Sequence, residues 1–208
     1  GDYLAVGALT RHCDVEKNDL IVSNAGVLAK ATHNVGDPQV RHRGTIGGAI
    51  AHGDPASDIP SALLALKATV VVNGPEGERE INIENFFTGF LETDLNEDEM
   101  LTEIRVPKLP DAKWSFQKFN RRAQDWAIVG ASIVCGEGHA GVGLVNMHSV
   151  PFRSESVESA LLNGANAEEA GELAAEGTEA PSDLNASRDY REHLSRVLVR
   201  RGLQEAGR

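Results

Sequence analysis

The chain has 208 residues, of which 41% are hydrophobic, and this suffices for one large domain or two small ones with a packed core. Its 31 acidic and 20 basic side chains give a net charge of -11 at pH 7, which argues against nucleic acid as a partner because polyanions are repelled. No stretch approaches the roughly 20 apolar residues of a membrane-spanning helix, so no transmembrane segment is predicted.

The first third of the chain is predicted to contain a strand, a helix and a long loop. Tyr3–Ala8 has the composition of a short buried strand. Apolar and small residues then recur at helical spacing, at Ile21, Ala25, Leu28, Ala29 and Thr32. The following segment, Gly36–Pro60, contains five glycines and three prolines and shows little periodicity. The sequence therefore predicts an ordered loop there, in the place where function is expected.

The middle of the chain is predicted to form a helix and then strands. Ser61–Ala68 has a helical pattern, and a β-hairpin is predicted with strands Thr69–Asn73 and Glu80–Ile83 joined by the turn Gly74–Gly77. Met100–Val106 alternates as a strand does. Four large apolar residues between these strands are expected to pack together in the core: Phe86, Phe87, Phe90 and Leu91.

The last part of the chain is predicted to be a small α+β domain. Three strand-like runs, Trp114–Asn120, Ala127–Cys135 and Gly141–His148, precede three helical patterns. The helices are predicted at Glu155–Leu162, Ala167–Gly177 and Arg188–Glu205. This order indicates a three-stranded antiparallel sheet with helices. The predicted domains are residues 1–107 and 114–208, joined by a linker at 108–113.

One segment carries a possible binding motif, the run Gln39–Asp58. Gly47 and Gly48 allow the backbone to approach a ligand closely, and consecutive N–H groups in such a turn form an anion site. Thr45 adds a hydroxyl beside them, so the segment suits a pyrophosphate. Two adjacent glycines are also common in plain turns, and the segment matches neither G-x-G-x-x-G nor a P-loop.

The cysteines and histidines do not indicate a metal site in this chain. Cys13 and Cys135 form no C-x-x-C pair, and the seven histidines lack the spacing of metal ligands. The adjacency of His12 and Cys13 does not by itself identify a nucleophile. Any metal is therefore expected on a partner.

The Gln39–Asp58 run reads Q-V-R-x-x-G-T-I-G-G-x-I-x-x-x-D-P-x-x-D, and it resembles the second FAD-binding loop of molybdenum hydroxylase flavin subunits. This family includes xanthine dehydrogenases and the medium subunits of aerobic carbon monoxide dehydrogenases. The resemblance continues through five further segments: Gly7–Thr10, Phe86–Gly89, Glu99–Pro107, Lys118–Ala127 and Pro151–Arg153. It implies an α+β chain, with an FAD-binding subdomain of the PCMH/VAO-like type followed by a C-terminal domain of the carbon monoxide dehydrogenase flavoprotein type.

The resemblance also implies the cofactor-binding residues. The pyrophosphate of FAD is expected on Thr45, Ile46, Gly47, Gly48 and Ala49. Asp58, Leu101 and Lys118 are expected to contact the cofactor. Without the resemblance, Asp58 would be a helix cap before Pro60, Leu101 an ordinary buried strand residue, and Lys118 a surface cation.

The implied function is electron transfer within a complex. FAD would pass electrons from [2Fe-2S] clusters of a small subunit to an external acceptor, while a large subunit with molybdopterin-bound molybdenum oxidises the substrate. No catalytic residue is expected in this chain. The resemblance further implies a dimer of heterotrimers in the cytoplasm, with a position on the inner face of the membrane as a second option.

The Asp-Trp-Ala and Ala-His-Gly-Asp-Pro segments favour the carbon monoxide dehydrogenase type, and hence carbon monoxide oxidation. Two alternatives stay open. The complex would instead oxidise xanthine, an aldehyde or an N-heterocycle, or the chain would be a cofactor-free assembly module. The second alternative arises because no segment matches the family's first FAD loop, A-G-G-x-S. That mismatch, and a start without Met, lead us to expect an N-terminally truncated chain that lacks the first subdomain.

Overall fold

The computed structural model describes residues 1–208 as a mixture of strands and helices. The strands are β1 (Tyr3–Gly7), β2 (Thr69–Gly74), β3 (Gly77–Asn82), β4 (Phe87–Gly89), β5 (Glu92–Thr93), β6 (Met100–Pro107), β7 (Lys113–Phe119), β8 (Val129–Gly136), β9 (His139–Val145) and β10 (Phe152–Arg153). The helices are α1 (His12–Val15), α2 (Asp19–Asn24), α3 (Gly26–His33), α4 (Pro38–Arg43), α5 (Ile46–His52), α6 (Asp58–Leu66), α7 (Glu155–Leu162), α8 (Ala167–Glu172) and α9 (Arg188–Glu205). None of these helices combines the length and the apolar character needed to cross a bilayer.

Two antiparallel four-stranded sheets form the framework. The first has the order β1-β6-β2-β3, and the second has the order β10-β9-β8-β7. The second sheet was expected to have three strands, but Phe152 and Arg153 pair with Leu144 and Gly143 as a fourth. A two-residue strand is too short to produce an alternating pattern, so the sequence gives no signal for it.

Helix α6 lies between the two halves of the chain and joins them. All nine of its residues are buried, including the polar Asp58 and Ser61, as expected of a helix that is packed on every side. The β9 strand packs against its backbone: a Cβ on Gly141 would lie 1.8 Å from the carbonyl oxygen of Ala65, and one on Gly143 would lie 2.0 Å from that of Ser61. Close packing of this kind is possible only because these strand positions have no side chain.

The core of the first half extends into the second sheet. It includes Phe116 of β7 and Val134 of β8, while a second cluster lies between β8, β9 and the helices α7 to α9. The segment between β6 and β7, residues 108–112, contains the predicted linker 108–113 except for Lys113, which is the first residue of β7. The division into two domains at that segment stays a prediction, because α6 contributes to packing on both sides of it.

The predicted helix through residues 21–32 is two helices. Backbone angles of φ -149° and ψ 49° at Ala25 end α2 and begin α3 at the next residue. A Cβ on Gly26 would lie 2.5 Å from the indole of Trp114, so the break places a glycine against that ring. Helical spacing alone does not show such a break, because the apolar positions stay in phase across it. The predicted helix over Ala167–Gly177 also ends early, and a short 3₁₀ turn at Leu173–Ala175 follows α8.

The predicted aromatic core cluster is only half correct. Phe86 and Phe87 are buried, with their rings edge to face at 5.5 Å. Phe90, however, is 64% exposed, and Leu91 is exposed with a positive φ of 59°. These two residues form the tight turn between β4 and β5, and its geometry turns their side chains toward the surface.

Candidate functional site

The segment 36–60 is helical rather than a loop, which corrects the prediction. Asp37 accepts a hydrogen bond from the N–H of Val40 at 2.9 Å and caps α4, whose first residue is Pro38. Thr45 caps α5 in the same way, through the N–H of Gly48 at 3.1 Å. Helices of six and seven residues are too short to show periodicity, and here their caps and packing outweigh the low helix propensity of glycine and proline.

The residues Gly44–Gly48, here called the glycine loop, run from the end of α4 into the first turn of α5 and are hydrogen-bonded to the residues that follow β1. The N–H of Gly47 donates to the carbonyl of Ala8 at 2.8 Å, and the N–H of Ile46 donates to that of Thr10 at 3.0 Å. A Cβ on Gly47 would lie 2.6 Å from the Cβ of Ala8. Gly47 is therefore needed for close packing against Ala8, and its N–H points into the fold.

Beside the glycine loop is a cleft of about 560 Å³, here called the main cleft. It lies between α4, the start of α5, the start of α6 and the connection from β7 to β8. Five of the predicted cofactor residues line it: Thr45, Gly48, Ala49, Asp58 and Lys118. Ile46, Gly47 and Leu101 do not; all three are buried, Leu101 in the sheet opposite Val72.

Asp58 and Lys118 meet at the main cleft from opposite halves of the chain. The Nζ of Lys118 donates to Oδ2 of Asp58 at 2.6 Å and to the carbonyl of Asn34 at 3.0 Å. The Lys118 side chain is only 7% exposed, so it is not a surface cation. Asp58 is the first residue of α6, after the N-cap position at Ser57, so it is not the helix cap either.

This pair leaves hydrogen-bonding capacity for a ligand. Oδ1 of Asp58 is buried and has no partner in the protein, which is costly unless a ligand supplies a donor. Lys118 has three N–H donors and uses two. The pKa of Asp58 is raised to about 6, because burial disfavours its charged form more than Lys118 stabilises it. The protonation state of this carboxyl group consequently changes at pH values just below neutral.

Four further residues of the main cleft were not predicted as site residues. Arg43 places a cation beside the glycine loop, and Asp125 and Trp126 close the cleft from the β7–β8 connection. Trp126 is 62% exposed. Asp125 and Trp126 lie inside the segment Lys118–Ala127 that resembles the family, so this resemblance could have identified them as site residues. The fourth, His12, follows shortly after the matched segment Gly7–Thr10.

The lining of the main cleft fits an extended, partly aromatic ligand that carries an anionic group. Arg43 and Lys118 supply positive charge, although the chain as a whole has a charge of -11. Apolar surface comes from Val35, Val40, Ala49 and Trp126. Clefts with an apolar lining and a few converging polar groups are typical of cofactor sites. The structure contains no group of three or more histidine, cysteine or acidic side chains arranged to hold a metal ion.

Two family models match the chain over almost its whole length. Residues 1–109 match the FAD binding domain in molybdopterin dehydrogenase, and residues 114–206 match the CO dehydrogenase flavoprotein C-terminal domain. These matches confirm the predicted α+β fold, in which an FAD-binding domain precedes a C-terminal domain of the carbon monoxide dehydrogenase flavoprotein type.

Curated relatives share about a third of their residues with this chain. The carbon monoxide dehydrogenase medium chain of Hydrogenophaga pseudoflava is 35% identical, over 99% of this chain and 75% of the relative. The glyceraldehyde dehydrogenase medium chain of Sulfolobus acidocaldarius is also 35% identical, over 97% and 75%. The nicotine 6-hydroxylase medium subunit of Paenarthrobacter nicotinovorans is 31% identical, over 100% and 76%.

Solved structures of related enzymes are also similar to this chain. A chain of carbon monoxide dehydrogenase from Hydrogenophaga pseudoflava superposes with a TM-score of 0.95 at 35% identity, covering 100% of this chain and 76% of that one. A chain of quinoline 2-oxidoreductase from Pseudomonas putida 86 superposes with a TM-score of 0.90 at 29% identity, covering 99% and 75%.

Proposed function

Because this chain belongs to the family of FAD-binding medium subunits of the molybdenum hydroxylases, we propose that it holds FAD in the main cleft and acts as the electron-transferring subunit of a multi-subunit dehydrogenase. The predicted family, and FAD as its cofactor, are confirmed by the family models and by the relatives. When bound, FAD supplies the redox chemistry, and the protein sets its position and its surroundings.

The observation that carries the proposal is that Asp58 and Lys118 have hydrogen-bonding groups at the main cleft without partners in the protein. Oδ1 of Asp58 suits an O–H or N–H donor of the cofactor, and the unused N–H of Lys118 suits an acceptor such as a flavin carbonyl. The Thr45 hydroxyl and the guanidinium of Arg43 suit the pyrophosphate. Ala49 would contact the cofactor from the first turn of α5.

The remaining predicted residues would support the cofactor indirectly. Ile46 and Gly47 hold the glycine loop against the residues that follow β1, because their N–H groups donate to the carbonyls of Thr10 and Ala8. Leu101 lies in β6 with its side chain in the core, and it would act through packing.

The proposed complex contains an iron–sulfur small subunit and a molybdenum large subunit, as a dimer of heterotrimers in the cytoplasm. In it, electrons pass from [2Fe-2S] clusters of the small subunit through FAD to an external acceptor. The names of the relatives, which are medium chains and subunits of dehydrogenase complexes, support this proposal. The size of the complex is measured by light scattering of the chain co-purified with its partners.

Carbon monoxide is the substrate we propose for the complex. The support is the 35% identity to a carbon monoxide dehydrogenase medium chain, together with the Asp-Trp-Ala segment. Equal identity to a glyceraldehyde dehydrogenase medium chain makes an aldehyde the main alternative. Dye reduction by the purified complex with carbon monoxide, glyceraldehyde and nicotine in parallel decides between them.

A titration with FAD tests the cofactor function. The chain, alone and co-purified with its partners, is titrated with FAD while flavin fluorescence and visible absorption are recorded. We expect saturable binding that weakens in Lys118→Met and is unchanged in the exposed control Lys30→Met. A protein that stays colourless with added FAD, even in the complex, would support the alternative of a cofactor-free assembly module.

A further inference from the structure

The glycine loop is also held by one buried side chain, that of His12 at the start of α1. The backbone N–H of His12 donates to the carbonyl of Gly44 at 3.0 Å, and its ring Nε2 lies 2.9 Å from the carbonyl oxygen of Thr45. Thr45 is the residue whose hydroxyl caps α5 and lines the main cleft. The His12 ring therefore fixes the carbonyl of the same residue that presents its hydroxyl to the ligand.

The surroundings of the ring determine its protonation state. A carbonyl oxygen only accepts, so Nε2 must carry the hydrogen, and Nδ1 of the neutral ring carries a lone pair. Nδ1 is buried and has no partner. It lies against the backbone of Gly44, where a Cβ would come within 2.8 Å of it. A second proton on Nδ1 would be a buried N–H donor without an acceptor, which is unfavourable.

The surroundings of His12 shift its pKa in both directions. Burial lowers its pKa most strongly, the hydrogen bond to Thr45 raises it, Arg41 lowers it and Glu16 raises it. Arg43, His52, Asp58 and Lys118 line the same cleft. The neutral form is thus favoured in the folded protein, and acidification acts against the arrangement seen here.

We propose that His12 is a positioning residue for the cofactor: its neutral ring holds Thr45 and the glycine loop in the binding geometry, and a second proton on the ring destabilises this arrangement. The proposal rests on the proposed FAD function of the main cleft. It predicts that FAD affinity decreases as the pH falls, because a protonated His12 carries a buried charge and an N–H at Nδ1 that has no acceptor beside Gly44.

The test compares three variants by FAD titration between pH 5 and pH 8. In His12→Ala we expect binding about fivefold weaker at neutral pH, the effect of one lost hydrogen bond. In His12→Gln the amide can still donate to Thr45 but does not titrate, so near-normal affinity with a reduced pH slope is expected. His193→Gln, an exposed site on α9, should keep the wild-type slope. Any slope left in His12→Gln belongs to Asp58, whose pKa lies in the same range.

A second measurement does not depend on FAD. Hydrogen exchange of the amides of Ile46, Gly47 and Gly48 should accelerate in His12→Ala and stay unchanged in His193→Gln. Unchanged exchange, or a full wild-type pH slope in His12→Gln, would overturn the role of His12. If the wild-type chain binds no FAD at any pH while the exchange result holds, the proposed FAD function fails and the positioning of the glycine loop by His12 stands.

Discussion

Lys118 in β7 and Asp58 at the start of α6 form a buried ion pair, with Nζ and Oδ2 2.6 Å apart. The two residues are 60 positions apart in sequence, and they connect a strand of the second sheet to the helix between the two halves of the chain. The pair therefore links the two halves of the chain and also shapes the main cleft. Its strength depends on pH, because the pKa of Asp58 is raised to about 6.

Replacement of Lys118 by Met should destabilise the protein in a pH-dependent way. Removal of one partner from a buried pair leaves a buried charge, at a cost of about 3 kcal/mol at pH 8. At pH 5 the loss should be smaller, because Asp58 takes up a proton and no charge remains unpaired. Urea unfolding at both pH values measures this, with Lys30→Met as the exposed control. Equal losses at pH 5 and pH 8 would contradict the pairing.

Asp58→Asn should alter the pH dependence of stability with a defined sign. The pKa of Asp58 is raised from an ordinary value of 3.8 to about 6, mainly by burial. Its contribution to stability is therefore complete below pH 3.8 and is lost as the pH rises through 6. The free energy of unfolding of the wild type, relative to Asp58→Asn, should fall by about 3 kcal/mol between pH 3 and pH 8. A constant difference across this range would show that Asp58 titrates normally.

Gly143→Ala should separate β9 from α6. The new Cβ would lie 2.0 Å from the carbonyl oxygen of Ser61, and neither backbone has room to shift without loss of the shared core. We expect a loss of about 3 kcal/mol or more in the free energy of unfolding. Gly136→Ala in the adjacent β8 is the matched control, since its Cβ would meet its nearest neighbour at an ordinary 3.5 Å. Similar melting temperatures for the two variants would refute the close packing.

The two adjacent glycines of the glycine loop should respond differently to substitution. Gly47→Ala places a Cβ 2.6 Å from Ala8, inside the fold, and should lower thermal stability together with FAD affinity. Gly48→Ala meets only the Thr45 hydroxyl, at 2.9 Å on the cleft side, so it should weaken FAD binding while the melting temperature changes little. Calorimetry and FAD titration of both variants measure the two effects. A stable, FAD-binding Gly47→Ala variant would disprove the assigned role of Gly47.

Much of the architecture is determined by the sequence itself. The helices Glu155–Leu162 and Arg188–Glu205 begin and end at the predicted residues, because their apolar spacing is regular and long enough to read. The strands β7, β8 and β9 were predicted to within two to three residues for the same reason. The motif in Gln39–Asp58 was sufficient to identify the family, since a long specific string depends on neither helix nor strand boundaries.

Tertiary structure alone decided the short helices and the site. α4 and α5 are capped by Asp37 and Thr45, and the carbonyls of Ala8 and Thr10 accept the first two N–H groups of α5. The caps are local, but the contacts with Ala8 and Thr10 join distant residues and are not visible in a local pattern. The turn at Phe90 exposes a residue whose composition predicted burial. The pairing of Asp58 with Lys118, and of His12 with Thr45, joins residues far apart in sequence. Contacts of this kind form only when the two halves pack around α6, so no spacing along the chain encodes them.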